Sequence, residues 1–104
     1  GFSYQRNPQL RREVRAFERL SLLSRGIRRP GSAALDLAFT ARGIFDGYWE
    51  RGLKPWDIAA GVLLVQEAGG RITGYNGQPV GLKDQELVAS NTWLHATLIR
   101  SLRD

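Results

Sequence analysis

The chain has 104 residues, 42% of them hydrophobic, and carries 15 Lys+Arg against 10 Asp+Glu, a net charge of +5. That is one domain at most, rich enough in apolar side chains to bury a core, which speaks against disorder. The lack of cysteine excludes disulfides, thiolate metal sites and a cysteine nucleophile, and the single histidine, His95, excludes a multi-histidine metal site.

The chain opens at Gly1-Phe2 and contains no methionine, so a piece of something longer is expected. No signal peptide opens it and no apolar run approaches the roughly 20 residues that span a bilayer, so a soluble, cytoplasmic protein without membrane contact is expected. Asn7-Pro8 reads as a helix start, with Asn at the N-cap and Pro in the first turn. Leu10, Val14, Phe17 and Leu20 follow at helical spacing as the core-facing stripe, Arg11, Arg15 and Arg19 share another face, and Gly26 is the stop. Residues 1–29 hold eight Arg against Glu13 and Glu18, a net +6, while the remainder sums to −1. Such an arm reads either as a solvated helix face or as a contact for nucleic acid, an acidic partner or a phosphorylated ligand. No aromatic stacking platform or recognition helix accompanies it.

Ile27-Arg28-Arg29 reads as a short extended segment ended by Pro30-Gly31. Ser32 caps a second helix over about 33–42, closed by Gly43, and its Ala33, Ala34, Ala38 and Ala41 permit close approach of a neighbouring backbone. Residues 44–49 are rich in strand formers and predict a strand. A loop at 52–55 leads to a third helix from Pro55 or Trp56 to Ala68, ended by Gly69-Gly70. A strand over 71–75, a turn at 76–79 and a buried strand over 87–90 follow, and Asn91 caps a last helix to about Leu102 with Leu94, Leu98 and Ile99 inward. The predicted order is α-β-α-β-α-β-β-α, a layered α/β domain around one central sheet.

Seven acids lie between the basic arm and terminal Asp104: Asp36, Asp46, Glu50, Asp57, Glu67, Asp84 and Glu86. Asp57 opens a very apolar helix. It reads either as a cap on free N–H groups at the positive dipole end, or as a metal ligand held at the start of a rigid element. Glu50 sits where a strand leaves the sheet, either as an exposed loop acid or at a site of the kind that clusters at strand ends. Gly31-Ser32-Ala33 is a small-residue turn running into a helix N-terminus, a cap or a ligand-facing turn. Lys54 is a surface loop lysine or a phosphate neighbour. Asp46, expected in mid-strand with Arg42 or Arg71 as partner, and Asp36, expected to pair with an Arg, read as structural, and His95, inside the last helix with no acid at catalytic spacing, reads as structural or exposed.

Gly31-Ser32-Ala33-Ala34-Leu35-Asp36-Leu37-Ala38, Ala41-Arg42-Gly43, Asp46-Gly47-Tyr48-Trp49-Glu50, Gly52-Leu53-Lys54-Pro55-Trp56-Asp57-Ile58-Ala59-Ala60-Gly61 and Glu67-Ala68-Gly69-Gly70 stand in that order. Together they resemble the C-terminal half of the inositol monophosphatase family, closest to its bacterial SuhB-like branch. The resemblance covers essentially the whole chain, including Leu87-Val88-Ala89-Ser90-Asn91. It implies the C-terminal portion of a layered αβαβα sugar-phosphatase sandwich, with a central mixed sheet flanked by helices. It also implies Mg2+-dependent, lithium-sensitive hydrolysis of a small-molecule phosphate monoester such as inositol 1-phosphate, usually by a homodimer. By the same resemblance Asp57 is a magnesium ligand, Glu50 accepts from a substrate hydroxyl, and Gly31, Ser32 and Ala33 contact the inositol ring. Hard Mg2+ takes carboxylate oxygens, which suits Asp57. The family's Asp-Pro-Ile-Asp-Gly-Thr motif does not occur in these residues. The remaining ligands are therefore expected from an N-terminal half, without which the chain is expected to be inactive. The competing expectation is a module that binds RNA, a transcription-related partner or another protein through the basic first helix, on a phosphatase-like scaffold.

Overall fold

The structure, a computed structural model, describes residues 8–81 and 85–103. The proposed cap at Asn7 and the acid at Asp84 lie outside the described residues. The elements are α1 (Pro8–Leu23), α2 (Ala33–Arg42), β1 (Gly47–Arg51), α3 (Pro55–Glu67), β2 (Arg71–Thr73), β3 (Glu86–Ser90) and α4 (His95–Leu102). The α/β class is as expected. The strand expected at 27–29 is absent: those residues link α1 to α2 without pairing to the sheet.

Three strands form one sheet in the order β1-β3-β2. Tyr48 and Ile72 both lie opposite Ala89, and Trp49 and Thr73 both lie opposite Val88. Both pairings are antiparallel, where a mixed sheet was expected. The reason is topological. β1 and β2 run the same way with α3 crossing between them, and β3 returns into the gap, so the two parallel strands never pair with each other.

Strand alternation sorts the side chains onto two buried faces. Tyr48, Ile72, Leu87 and Ala89 meet Leu37 of α2 and Ile58 and Val65 of α3. On the opposite face Trp49 and Val88 meet Ala16 and Leu20 of α1, Leu102 of α4, and Tyr75. The central strand is thus covered on both sides, which is why residues 87–89 read as an unbroken apolar run. Each fully buried Leu of this core contributes about 1.5–3 kcal/mol.

Glycines set two of the close approaches. An added Cβ at Gly61 would stand 2.5 Å from Leu37 Cδ1 and 2.7 Å from Leu37 Cβ, so the α2–α3 contact requires glycine there. At Gly70 it would meet Val65 Cγ1 at 2.9 Å and the Ser90 carbonyl at 3.0 Å. The second glycine of Glu67-Ala68-Gly69-Gly70 therefore lets the chain leave α3 flush against β3.

The face of α1 differs from the expected stripe. Glu13, Ala16 and Leu20 are buried, whereas Val14 is 53% exposed and Phe17 also faces outward. The sheet beneath presents Arg51 and Tyr75, and these select the rotation that buries Glu13. Arg19, expected on the solvent face, donates from Nε to the Ser101 carbonyl of α4 at 2.8 Å.

The strand expected over 44–49 begins three residues late. Gly43 closes α2 in the left-handed region at φ 85°, and the N–H groups of Ile44 and Phe45 both donate to the Phe39 carbonyl, at 2.9 and 3.3 Å. Phe45 then packs edge-on against Phe39, with ring centroids 5.5 Å apart. The strand-forming side chains at 44 and 45 thus belong to the helix stop. Asp46 is consequently an exposed bend residue, not the mid-strand acid that was expected. β2 also ends early, at Thr73, where Gly74 N–H donates to the Gln78 carbonyl at 2.8 Å and the chain turns. Before α4, Asn91 Oδ1 accepts from the Leu94 N–H at 2.9 Å, as the sequence predicts, although the α-helix proper starts at His95. Leu98 and Ile99 are half-buried, while Leu94 is exposed.

Candidate functional site

The residues singled out in the sequence lie at the start of α2, the end of β1 and the start of α3. Ser32, extended at φ −139° and ψ 116°, caps α2: its Oγ accepts from the Leu35 N–H at 3.3 Å. Gly31 before it takes a positive φ of 88°, which turns the chain into the helix. Ser32 and Ala33 are half-buried and Gly31 is exposed, so this turn borders solvent at the start of α2.

Asp36 lies in the first turn of α2 and is only 3% exposed. Burial pushes its carboxyl above the ordinary range, the Glu50 carboxylate pushes it the same way, and the Arg29 guanidinium opposes them. The structure therefore draws Asp36, expected to be merely structural, into the electrostatic neighbourhood of Glu50.

Glu50 is half-buried near the end of β1. Tyr48, two residues earlier and on the same face of the strand, donates from its hydroxyl to Glu50 Oε1 at 2.6 Å. The phenol is pushed well above its usual range by burial, then by this hydrogen bond and by the Glu50 and Asp36 charges, so it remains a donor. Tyr48 was not singled out in the sequence. The available signal was period-two spacing, which puts residues 48 and 50 of a strand side by side.

Asp57 is half-buried in the first turn of α3, and its Oδ2 accepts from the Lys54 N–H at 3.0 Å. This is the capping half of the expectation. It leaves a carboxylate at a helix start where the backbone dipole favours negative charge. Trp56 beside it is 78% exposed. Lys54 is exposed at the same corner. Among the described residues no group of three His, Cys, Asp or Glu side chains could hold a metal ion. One carboxylate does not make a magnesium site, so the donors present in this chain do not by themselves fit the ion that the resemblance implies.

Apart from Thr40, whose hydroxyl donates to the Asp36 carbonyl within α2, the other buried polar groups lie on the opposite face of the sheet and hold the fold. His95, in a fully buried position, places Nε2 2.7 Å from Thr73 Oγ1 and Nδ1 2.7 Å from Ser90 Oγ. This confirms it as a structural histidine. Glu13, Arg51, Glu86 and Tyr75 form a second polar cluster.

Helices on both faces of a sheet, with the acids Asp36, Glu50 and Asp57 near element ends, make this a layered α/β domain. The chain belongs to the inositol monophosphatase family, whose model matches residues 1–104. It is 44% identical over 102 residues to an inositol-1-monophosphatase of Synechocystis, covering 98% of this chain and 36% of that protein. It is 41% identical to a protein of Pseudomonas aeruginosa named Nus factor SuhB, covering 99% of this chain and 39% of that one. The crystal structure of an extragenic suppressor protein SuhB from Bartonella henselae superposes with a TM-score of 0.91 at 36% identity, over 99% of this chain and 40% of that one. An inositol monophosphatase from Anabaena superposes with a TM-score of 0.80 at 45% identity, over 88% of this chain and 38% of that one. The chain thus spans 36–40% of the length of these relatives. No helix among the described residues is long and apolar enough to cross a membrane.

Proposed function

We propose that residues 1–104 are the C-terminal α/β domain of a Mg2+-dependent phosphatase that hydrolyses phosphate monoesters such as inositol 1-phosphate. The observation that carries this reading is the match to relatives named inositol-1-monophosphatase over nearly the whole chain; the ordered motifs fall at the starts of α2 and α3 and at the end of β1. In this reading Asp57 supplies one carboxylate ligand to magnesium, and Glu50 accepts a hydrogen bond from a substrate hydroxyl. Gly31, Ser32 and Ala33 border the ring of the ester. Magnesium held by Asp57 together with ligands from outside this chain would supply neutralisation of phosphate charge and activation of water.

The other ligands come from an N-terminal portion of the kind that the longer relatives carry, and the 104-residue chain alone is inactive. An outward apolar face on α3 supports this: Ala59 and Ala60 are exposed, Leu63 is 58% exposed and Leu64 is 50% exposed. A helix that is apolar all round is ordinarily covered on all sides. The test is to combine this chain with the N-terminal part of a relative, in one polypeptide or by mixing. Phosphate release from inositol 1-phosphate is then measured with and without Mg2+, and with Li+ as the expected inhibitor. Turnover by the lone chain would refute the reading. The mass of the assembly by light scattering reports whether it is the homodimer expected of the family.

A second reading is favoured by one observation. Arg11, Arg12 and Arg15 of α1 are exposed together, with Arg25 and Arg28 beyond its end, and one relative bears the name Nus factor. In that reading α1 contacts RNA or a transcription-related protein. RNA binding that weakens steeply with salt, and is lost on reversing Arg11 and Arg15 to Glu, would support it.

A further inference from the structure

Tyr48 and Glu50 form a side-chain pair that packing alone does not require. The Tyr48 ring is 5% exposed and sits in the core with Leu37, Leu53 and Ile58. Phenylalanine would fill that space equally well, yet the hydroxyl reaches out of the apolar cluster to Glu50 Oε1 at 2.6 Å. Charge-assisted O–H···O bonds of this length are among the stronger ones and fix the orientation of the acceptor. Tyr48 is held at two points: by its ring packing and by its register opposite Ala89 of the central strand β3. Glu50 is half-buried near the strand end, and fixing Oε1 restricts the rotamers open to its carboxylate.

We propose that Tyr48 is a positioning residue for ligand recognition: by holding Oε1 of Glu50 it sets the carboxylate plane to meet a ring hydroxyl of the phosphate ester. This rests on the reading of Glu50 as the hydroxyl acceptor. It makes selectivity for hydroxylated rings depend on a residue that the ligand does not touch. A phenol has one proton to give, and here it goes to Glu50. The 2.6 Å contact therefore commits the phenol's single proton to one carboxylate oxygen. The preorganised carboxylate loses less rotamer freedom when the ligand binds, and its effect is therefore on binding, not on the chemical step.

The experiment uses the enzyme assembled from this chain and the family's N-terminal portion, with inositol 1-phosphate and its monodeoxy analogues as probes. Wild type, Tyr48→Phe and Glu50→Gln are compared for kcat and KM, and Tyr48→Phe is checked by thermal melting. Loss of a bond to a charged group predicts that Tyr48→Phe raises KM for inositol 1-phosphate about tenfold, with kcat within about twofold. The monodeoxy analogue whose KM is insensitive to Glu50→Gln should be insensitive to Tyr48→Phe as well. A purely structural tyrosine would lower the melting temperature, or raise KM for every analogue alike, and either pattern without the analogue split overturns the proposal. If Glu50→Gln separates the analogues and Tyr48→Phe does not, the Tyr48 proposal fails while the reading of Glu50 stands. If Glu50→Gln separates none, or the assembled wild type releases no phosphate, the parent reading fails and this inference with it.

Discussion

Glu13 of α1 and Arg51 of β1, far apart in sequence, meet at 2.9 Å between Oε1 and Nε. The same guanidinium reaches Glu86 of β3 at 3.0 Å and lies 4.4 Å above the Tyr75 ring, and the Tyr75 hydroxyl donates to Glu13. Burial pushes the Glu13 carboxyl above its ordinary value near 4.5, against the lowering effect of Arg51 and Tyr75. One arginine thus ties the first helix, an edge strand and the central strand together.

Removing that arginine should be costly. Arg51→Ala leaves Glu13, only 2% exposed, without its cation. A loss of about 3–5 kcal/mol is expected, measured by urea unfolding. Glu13 also has a pH signature. Its folded value is raised, so its contribution is fully present below the unfolded value near 4.5 and is lost as pH rises through the folded value. Glu13→Gln should flatten the corresponding part of the stability–pH curve. An unchanged curve would mean that Glu13 does not titrate as its burial requires.

His95 behaves in the opposite sense. Burial, with Arg71 adding to it, lowers its value below the ordinary 6.5. The fold favours the neutral ring, so its contribution is present above pH 6.5 and lost as pH falls through the depressed folded value. A neutral ring donates at one nitrogen and accepts at the other, so Thr73 and Ser90 play opposite roles. Their hydroxyls also have the Gly74 and Asn91 carbonyls in reach, at 2.9 and 2.8 Å. His95→Phe should therefore remove the acid-side slope and cost about 1–3 kcal/mol, since neither hydroxyl loses its last acceptor. Melting between pH 5 and 8 checks this.

Gly61→Ala adds one carbon where Leu37 leaves no room. The α2–α3 contact must open or Leu37 must leave its rotamer, and about 1–3 kcal/mol of destabilisation is expected from chemical denaturation. A neutral result would show that the two helices can separate freely.

Asp57→Asn tests the metal-ligand role proposed for Asp57 apart from the cap it provides. The Asn side-chain oxygen can still accept from the Lys54 N–H and only the charge at the helix start is lost, so stability should change by less than about 1 kcal/mol. A metal-ligating carboxylate has no such substitute, so Mg2+-dependent turnover of the assembled enzyme should fall by at least about a hundredfold. Retained turnover would make Asp57 a cap and nothing more.

Much of this architecture was written locally. Ser32 and Gly43 bound α2 where their capping chemistry placed them, and Pro55 opens α3 as proline does at a helix start. The motif run from Gly31 to Gly70 carried the family. Local signals misplaced what distant partners decide. The apolar stripe of α1 pointed to Val14 and Phe17, but the helix turns Glu13 inward because Arg51 and Tyr75 wait beneath it. Residues 44 and 45 looked like strand, but Phe39 recruits them into the end of α2.

The amino-acid order alone determined the helices, their stops and the acids that stand at their ends, because capping, turn chemistry and periodicity act over a few residues. Tertiary structure alone decided which side chains face one another. It brought Asp36 of α2 into the electrostatic neighbourhood of Glu50, inserted β3 between two parallel strands, and chose the buried face of α1. Those outcomes depend on burial and charge contributed by segments far apart in the chain, and no local pattern encodes them.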